Sequence, residues 1–236
     1  MWRYAMTLIP LLAALCAGAA CGQGERPEEL LLRSGGVLRF VVKEPARADQ
    51  SAPVPVLVAL APGKQSEEMA KIAFDRYYSA LVAKGWVVVS PLARTDSTLL
   101  DDANSPLGEL LDEVARRYTV EGGKVHLAGV SNGGRAAFRL ALAAGKDKVA
   151  SLLVLPGFAP STEDTSRLGE LAGVRVRMIV GENDSADWID ASRATLKALR
   201  DADVDASLVV RQGEGHVVKT TPEEIAAMME SFRPPP

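Results

Sequence analysis

From Val37 onward, short apolar runs alternate with stretches whose apolar positions recur at helical spacing. The clearest run is Val54 to Leu60, VPVLVAL, apolar throughout and bounded by Pro53 and Pro62. A strand with one wet face would alternate polar and apolar; an unbroken run fits a strand covered on both sides. Pro55 is tolerable there because it stands near the start. Val37–Val42, Trp86–Leu92, Val125–Val130, Leu152–Leu155, Val174–Val180 and Ala206–Arg211 predict further strands. Between them lie helical periods. Over Ser66 to Lys84, Met69, Ile72, Ala73, Tyr77, Ala80 and Leu81 share a side, with Ser66 as cap and Gly85 as stop. Pro106–Tyr118, Ile189–Asp201 and Pro222–Phe232 predict more helices, as does the alanine-rich stretch after Ser131; Arg167–Leu171 gives at most a short one. Repeated strand–helix units predict an α/β domain: a mostly parallel sheet, right-handed crossovers and helices on both faces.

Composition narrows the picture. In 236 residues, 47% apolar content is enough for one domain with a sizeable core. A net charge of −3, with no stripe of Lys and Arg, argues against nucleic acid as a partner. Aromatic content of 5% argues against a broad stacking surface.

The first residues follow another pattern. Arg3 precedes an apolar run from Leu8 that ends in Ala17-Gly18-Ala19-Ala20, the layout of a secretory signal peptide over residues 1–20. The run is short for a membrane span. Both cysteines, Cys16 and Cys21, lie at this end, so the domain beyond it holds no thiol. Residues 21–36 are polar and read as a flexible tether, leaving 37–236 as the folded domain.

Chemistry concentrates in Lys124 to Gly145. Gly129-Val130-Ser131-Asn132-Gly133 fits G-x-S-x-G, a strand–turn–helix elbow that lifts a serine hydroxyl to the sheet edge. The glycines flank a strained turn where side chains would collide with the strand and helix it joins. A serine nucleophile needs a base and a group to orient that base. Of two histidines, His126 lies inside the strand before the elbow and reads as a core residue. His216, in Gly213-Glu214-Gly215-His216, lies in a loop leaving the same sheet edge as the elbow. The loop after Val174–Val180 offers Asp184 and Asp187 as orienting carboxylates, with Glu182 third. Asp101 and Asp102 are adjacent, point apart, and make no catalytic pair. No residue spacing suits a metal site, and no cofactor is expected.

With GVSNGG, GENDSAD and GEGH in this order, the sequence resembles the α/β-hydrolase superfamily. Within it, the likeness is to the small carboxylesterase, dienelactone-hydrolase and polyhydroxybutyrate-depolymerase-like branch, over Val37 to the end. The resemblance implies an α/β-hydrolase fold without a large cap domain, Ser131 as nucleophile, Asp184 as acid and His216 as base. It implies an oxyanion hole from the Asn132 amide and a second amide after the Val54–Leu60 strand. There the family usually carries His-Gly, whereas this chain has Ala61-Pro62-Gly63-Lys64; Pro62 has no N–H, which leaves Gly63 or Lys64 as donor. Cys21, after Ala19-Ala20, resembles the lipidated cysteine of bacterial lipoproteins, although Gly18 stands where that family has Leu. Lipidation there and plain signal cleavage both imply export, to the periplasm or cell envelope or as a secreted protein. The only membrane contact expected is a lipid anchor at Cys21.

The expected activity is ester hydrolysis through an acyl-enzyme, on a small molecule or a polymer end. The loops at Pro156–Thr165 and Ala93–Asn104 are too short for a large lid, and Trp188 and Lys64 are candidates to line an open cleft. A peptidase with the same triad, or a non-catalytic binding lipoprotein, are the competing expectations.

Overall fold

The computed structural model describes residues 27–46, 52–94, 97–100 and 106–233. The expected signal segment 1–20, Cys21 and the Asp101–Asp102 pair lie outside the described residues. In chain order the strands are β1 (Glu28–Leu31), β2 (Val37–Lys43), β3 (Val56–Leu60), β4 (Val87–Leu92), β5 (Val125–Gly129), β6 (Val149–Val154), β7 (Arg175–Gly181) and β8 (Ala206–Arg211). The α-helices are α1 (Glu67–Ala73), α2 (Ser79–Ala83), α3 (Pro106–Arg117), α4 (Asn132–Ala144), α5 (Thr162–Ser166), α6 (Ala186–Asp201) and α7 (Pro222–Glu230). They build one sheet in the order β1-β2-β4-β3-β5-β6-β7-β8, parallel from β4 to β8 and antiparallel at β1–β2 and β2–β4.

The unbroken apolar run explains itself in β3. Val56, Val58 and Leu60 enter one core with α3, α4 and Leu199 of α6, while Leu57 and Ala59 enter a second core with α1, α2 and α7. Both faces of the strand are therefore dry, and the period of two assigns alternate side chains to opposite layers. Pro55 sets where the strand begins. Just upstream, Val54 pairs with Val120 instead: Val54 N–H donates to Thr119 O at 2.9 Å, and Glu121 N–H donates to Val54 O at 2.9 Å.

Two expectations need correction. The tether expected over 21–36 contains β1, which pairs antiparallel with β2 through a turn at Gly35, where φ is +83°. Glu28, Glu29 and Leu31 are exposed, while Leu30 and, just past the strand, Leu32 pack against the first core; Arg117 tethers Glu28 to α3. The single helix expected over Ser66–Lys84 is interrupted by a π-helical turn, Phe74–Tyr78. The wider turn leaves the adjacent Tyr77 and Tyr78 both buried in the second core. Ser66 does cap α1, accepting a hydrogen bond from Met69 N–H.

His126 is a core residue. Its side chain faces Trp86, ring centroids 4.9 Å apart, and Nδ1 shares a 2.7 Å hydrogen bond with Ser151 Oγ. It lies near the start of β5, at the sheet edge away from the elbow. Burial, opposed by Glu121 and Glu230 and aided by Arg175 and Arg233, pushes its pKa down to about 4. An unfolded histidine titrates at about 6.5, so between those values the unfolded chain binds a proton that the folded one does not. Stability is therefore unaffected above pH 6.5 and falls as pH drops toward 4, by about 2–3 kcal/mol at pH 4.5. Urea titrations at pH 7.5 and 4.5 should show a smaller acid loss in His126→Gln than in wild type, by about that amount. Equal losses would remove His126 as the source.

Candidate active site

Ser131 stands between β5 and α4 with φ 55° and ψ −121°, a backbone conformation an L-residue adopts only when its neighbours enforce it. The enforcement is direct. Ser131 N–H donates to Pro156 O at 2.9 Å, Arg135 N–H to Ser131 O at 3.1 Å, and Val130 N–H to Leu60 O at 3.2 Å. A Cβ on Gly129 would lie 2.2 Å from Gly133 O, and a Cβ on Gly133 would lie 2.2 Å from Leu60 O. Both motif glycines are thus required by backbone-to-backbone contact, between strand and helix and between helix and the β3 loop.

The histidine loop is held by similar means. Gly181, at the end of β7, packs where a Cβ would meet Gly215 O at 2.2 Å. Asn183 N–H donates to Glu214 O at 2.8 Å, Lys219 N–H to Glu214 Oε2 at 2.7 Å, and Tyr77 Oη–H to Val218 O at 3.2 Å. That last bond ties the π turn to the loop. The result is a chain of three side chains: Ser131 Oγ lies 2.8 Å from His216 Nε2, and His216 Nδ1 lies 2.9 and 3.0 Å from the two oxygens of Asp184. Asp184 also accepts from Ser185 N–H at 2.7 Å. Its side chain is 3% exposed, whereas that of His216 is 39% exposed. In the tautomer that carries its proton on Nδ1, toward the carboxylate, Nε2 accepts the hydrogen bond from Ser131 Oγ–H.

Of the three acids in the β7 loop, only Asp184 reaches His216. Asp187 is exposed in the first turn of α6, where its charge suits the helix N-terminus. Glu182 instead accepts from Gly213 N–H at 2.9 Å and braces the turn after β8. Asn132 opens α4, so its N–H belongs to the first turn, whose amides have no acceptor within the helix. Its side-chain Nδ2 donates to Gly63 O at 3.5 Å, which brings the β3 loop alongside the elbow. Gly63 adopts φ +62°, and Gln65 N–H closes the turn on Pro62 O at 3.1 Å. Neither Gly63 N–H nor Lys64 N–H bonds to another described residue, so both stay available.

Sequence reasoning passed over Phe158, Arg135 and Gln65. Phe158 packs on Trp188 beside His216, and the Arg135 guanidinium lies 5.2 Å over the Phe158 ring. Gln65 is buried and accepts from Leu99 N–H at 2.7 Å, fixing the segment that follows Lys64. The one available hint was that Phe158 is the sole aromatic in a loop leaving the elbow's sheet edge. A separate cavity of about 420 Å³ lies between β2, β4 and α1, lined by Val41, Lys43, Phe74 and Ser90 among others; Ser131, Asp184 and His216 take no part in it. Among the described residues, no group of three or more His, Cys, Asp or Glu is placed to hold a metal ion. No described helix is long and apolar enough to cross a membrane.

The sheet order, the two helical layers and the elbow define the α/β-hydrolase fold. Solved structures agree. The chain is similar to S-formylglutathione hydrolase from Agrobacterium tumefaciens, with TM-score 0.64 and 17% identity over 87% of this chain and 91% of that one. It is similar to an esterase from the fungus Rhizomucor miehei, with TM-score 0.63 and 16% identity over 88% and 83%. Dipeptidyl peptidase 4 from Porphyromonas gingivalis shares the fold at TM-score 0.66 and 14% identity, over 88% of this chain and 35% of that one. The chain thus spans about a third of that peptidase and 60% of a thermostable esterase it also matches. No protein-family model matches the chain, and no curated protein sequence matches it.

The glycine contacts make a direct prediction. Gly133→Ala should destabilise by about 3 kcal/mol or more, because backbone must move to admit the methyl group. Gly108→Ala, in α3 with open space around it, should raise stability by up to about 1 kcal/mol. Thermal melts of the two variants beside wild type check both signs.

Proposed function

We propose that the protein is a serine hydrolase that cleaves carboxylic esters through an acyl-enzyme. The observation that carries this reading is the hydrogen-bond chain from Ser131 Oγ through His216 to Asp184, set at a strained elbow. The Ser131 Oγ attacks the ester carbonyl carbon as its proton passes to His216 Nε2. Asp184 holds the imidazole and stabilises its positive charge. The carbonyl oxygen becomes an oxyanion, received by Asn132 N–H and an amide of Gly63 or Lys64; one such donor contributes about 3–4 kcal/mol. The carbon–oxygen bond to the alcohol then breaks, and His216 returns its proton to the leaving alkoxide. Water repeats the sequence on the acyl-serine, giving its proton to His216 and releasing the acid.

Esterases and an S-formylglutathione hydrolase among the neighbours favour ester chemistry, and the peptidase neighbours keep amides as the second reading. The same triad serves both, so substrate assays divide them. A fluorophosphonate probe should label wild type and not Ser131→Ala; equal labelling would overturn the reading. Acyl esters should turn over faster than aminoacyl amides. His216→Ala should lose about 10⁴–10⁶-fold in turnover and Asp184→Asn about 10⁴-fold, with Asp187→Asn unchanged.

We further propose export, with lipidation at Cys21. The apolar run, the small residues before Cys21 and the polar stretch after it support this. Metabolic labelling with a palmitate analogue in a bacterial host should mark wild type and not Cys21→Ser. Unlabelled wild type recovered without its first residues would point to plain signal cleavage.

A further inference from the structure

Beside His216 the sheet edge carries aromatic surface that the cores do not use. The Trp188 ring centroid lies 4.5 Å from that of His216, with planes at 79°. Phe158 continues the row, 4.9 Å from Trp188 with planes at 70°. Both residues are half-buried, and neither belongs to either hydrophobic core.

Their positions are nevertheless fixed. Trp188, Ser192 and Thr195 recur at i, i+4 and i+7 along α6 and so share one face. Ser192 Oγ–H donates to Gly157 O at 3.5 Å, and Ala159 N–H donates to Thr195 Oγ1 at 3.2 Å. Both hydroxyl residues are buried. The backbone on either side of Phe158 is thereby tied to the helix that carries Trp188. On its other side Gly157 packs against Gly134, where a Cβ would meet Gly134 Cα at 2.9 Å. Burying two hydroxyls to hold two half-buried rings next to a reactive group is the arrangement of a ligand-facing wall.

We propose that Phe158 and Trp188 form the acyl-side wall of the substrate site and select esters whose acyl group is a flat aromatic ring. This rests on the ester-hydrolase reading. In the sheet, β3 and β6 flank β5 on opposite sides. On that reading the carbonyl oxygen lies toward the β3 loop and Asn132 N–H, and Phe158 and Trp188, which follow β6 and β7, stand on the opposite flank of β5. The alcohol leaves after protonation by His216, whose side chain is 39% exposed. The acyl group stays on Ser131 through both steps and needs the lasting surface. An aromatic acyl ring extends the edge-to-face row, an advantage of about two- to tenfold over a saturated ring of the same size.

The test uses the full chain and one alcohol throughout. The ratio of kcat/KM for methyl benzoate to that for methyl cyclohexanecarboxylate is measured in wild type, Trp188→Leu, Phe158→Leu and Trp188→Phe. A ratio taken within each variant cancels any general loss of activity or of folded enzyme. Either leucine variant should lower the ratio about two- to tenfold, and Trp188→Phe should restore most of it. A ratio unchanged in both leucine variants overturns the wall. Failure of wild type to turn over even p-nitrophenyl acetate above Ser131→Ala is a different result: it overturns the ester-hydrolase reading and the wall with it.

Discussion

The site depends on backbone packed against backbone at the elbow. Between Gly129 and Gly133 the chain reverses from β5 into α4 so tightly that Gly133 lies on the carbonyls of Leu60 and Ala61. No side chain fits between these segments. That approach fixes the distance between the Ser131 turn and the β3 loop, which holds the candidate oxyanion amides. It also holds Ser131 at positive φ, a conformation that costs about 1–3 kcal/mol and persists only when over-determined. Hydrogen bonds from Ser131 to the β6 loop and from Val130 to the end of β3 share that load.

The same device recurs on the other arm of the site. Gly181 lets β7 end against the carbonyls of Glu214 and Gly215, so the loop carrying His216 folds back over the strand that delivers Asp184. The histidine is positioned by contacts made two residues before and after it, through Glu214 and Val218, and by the edge-to-face packing of Trp188 on its ring. This explains how a side chain 39% exposed keeps both its hydrogen bonds while the acid behind it is nearly dry.

The parts legible in the sequence were those with a short-range signature. The run at Val54–Leu60 could be read as a doubly covered strand because burial on both faces removes all polar residues from it. The elbow could be read because its glycines answer to local collisions. Longer-range facts left no such trace. Asp184 and Asp187 differ only by which side of a loop–helix junction they fall on, and a shift of three residues changes a ligand of His216 into a solvated helix-end charge. β1 was missed because it is four residues long with Leu30 alone turned to the core, and the π turn because it alters helical phase without altering composition. Phe158 was missed because its meaning comes from α6, a helix distant in sequence that reaches back through Ser192 and Thr195.

The two edges of the sheet divide the work. Near the starts of the strands, remote from the elbow, lies a hydrogen-bonded polar cluster in which buried His126, Ser151 and Trp86 meet the partly exposed Glu230 and Arg233–Glu121 pair. At the strand ends the chain instead accumulates close glycine contacts, the strained Ser131 and half-buried aromatic rings. Parallel strands impose this split, since every strand–helix turn falls on one edge and every return on the other. The first edge can be closed for stability because nothing needs to enter it. The second holds the Ser131–His216–Asp184 chain through backbone contacts at its glycines, with the buried hydroxyls of Ser192 and Thr195 tying the Phe158 loop to α6.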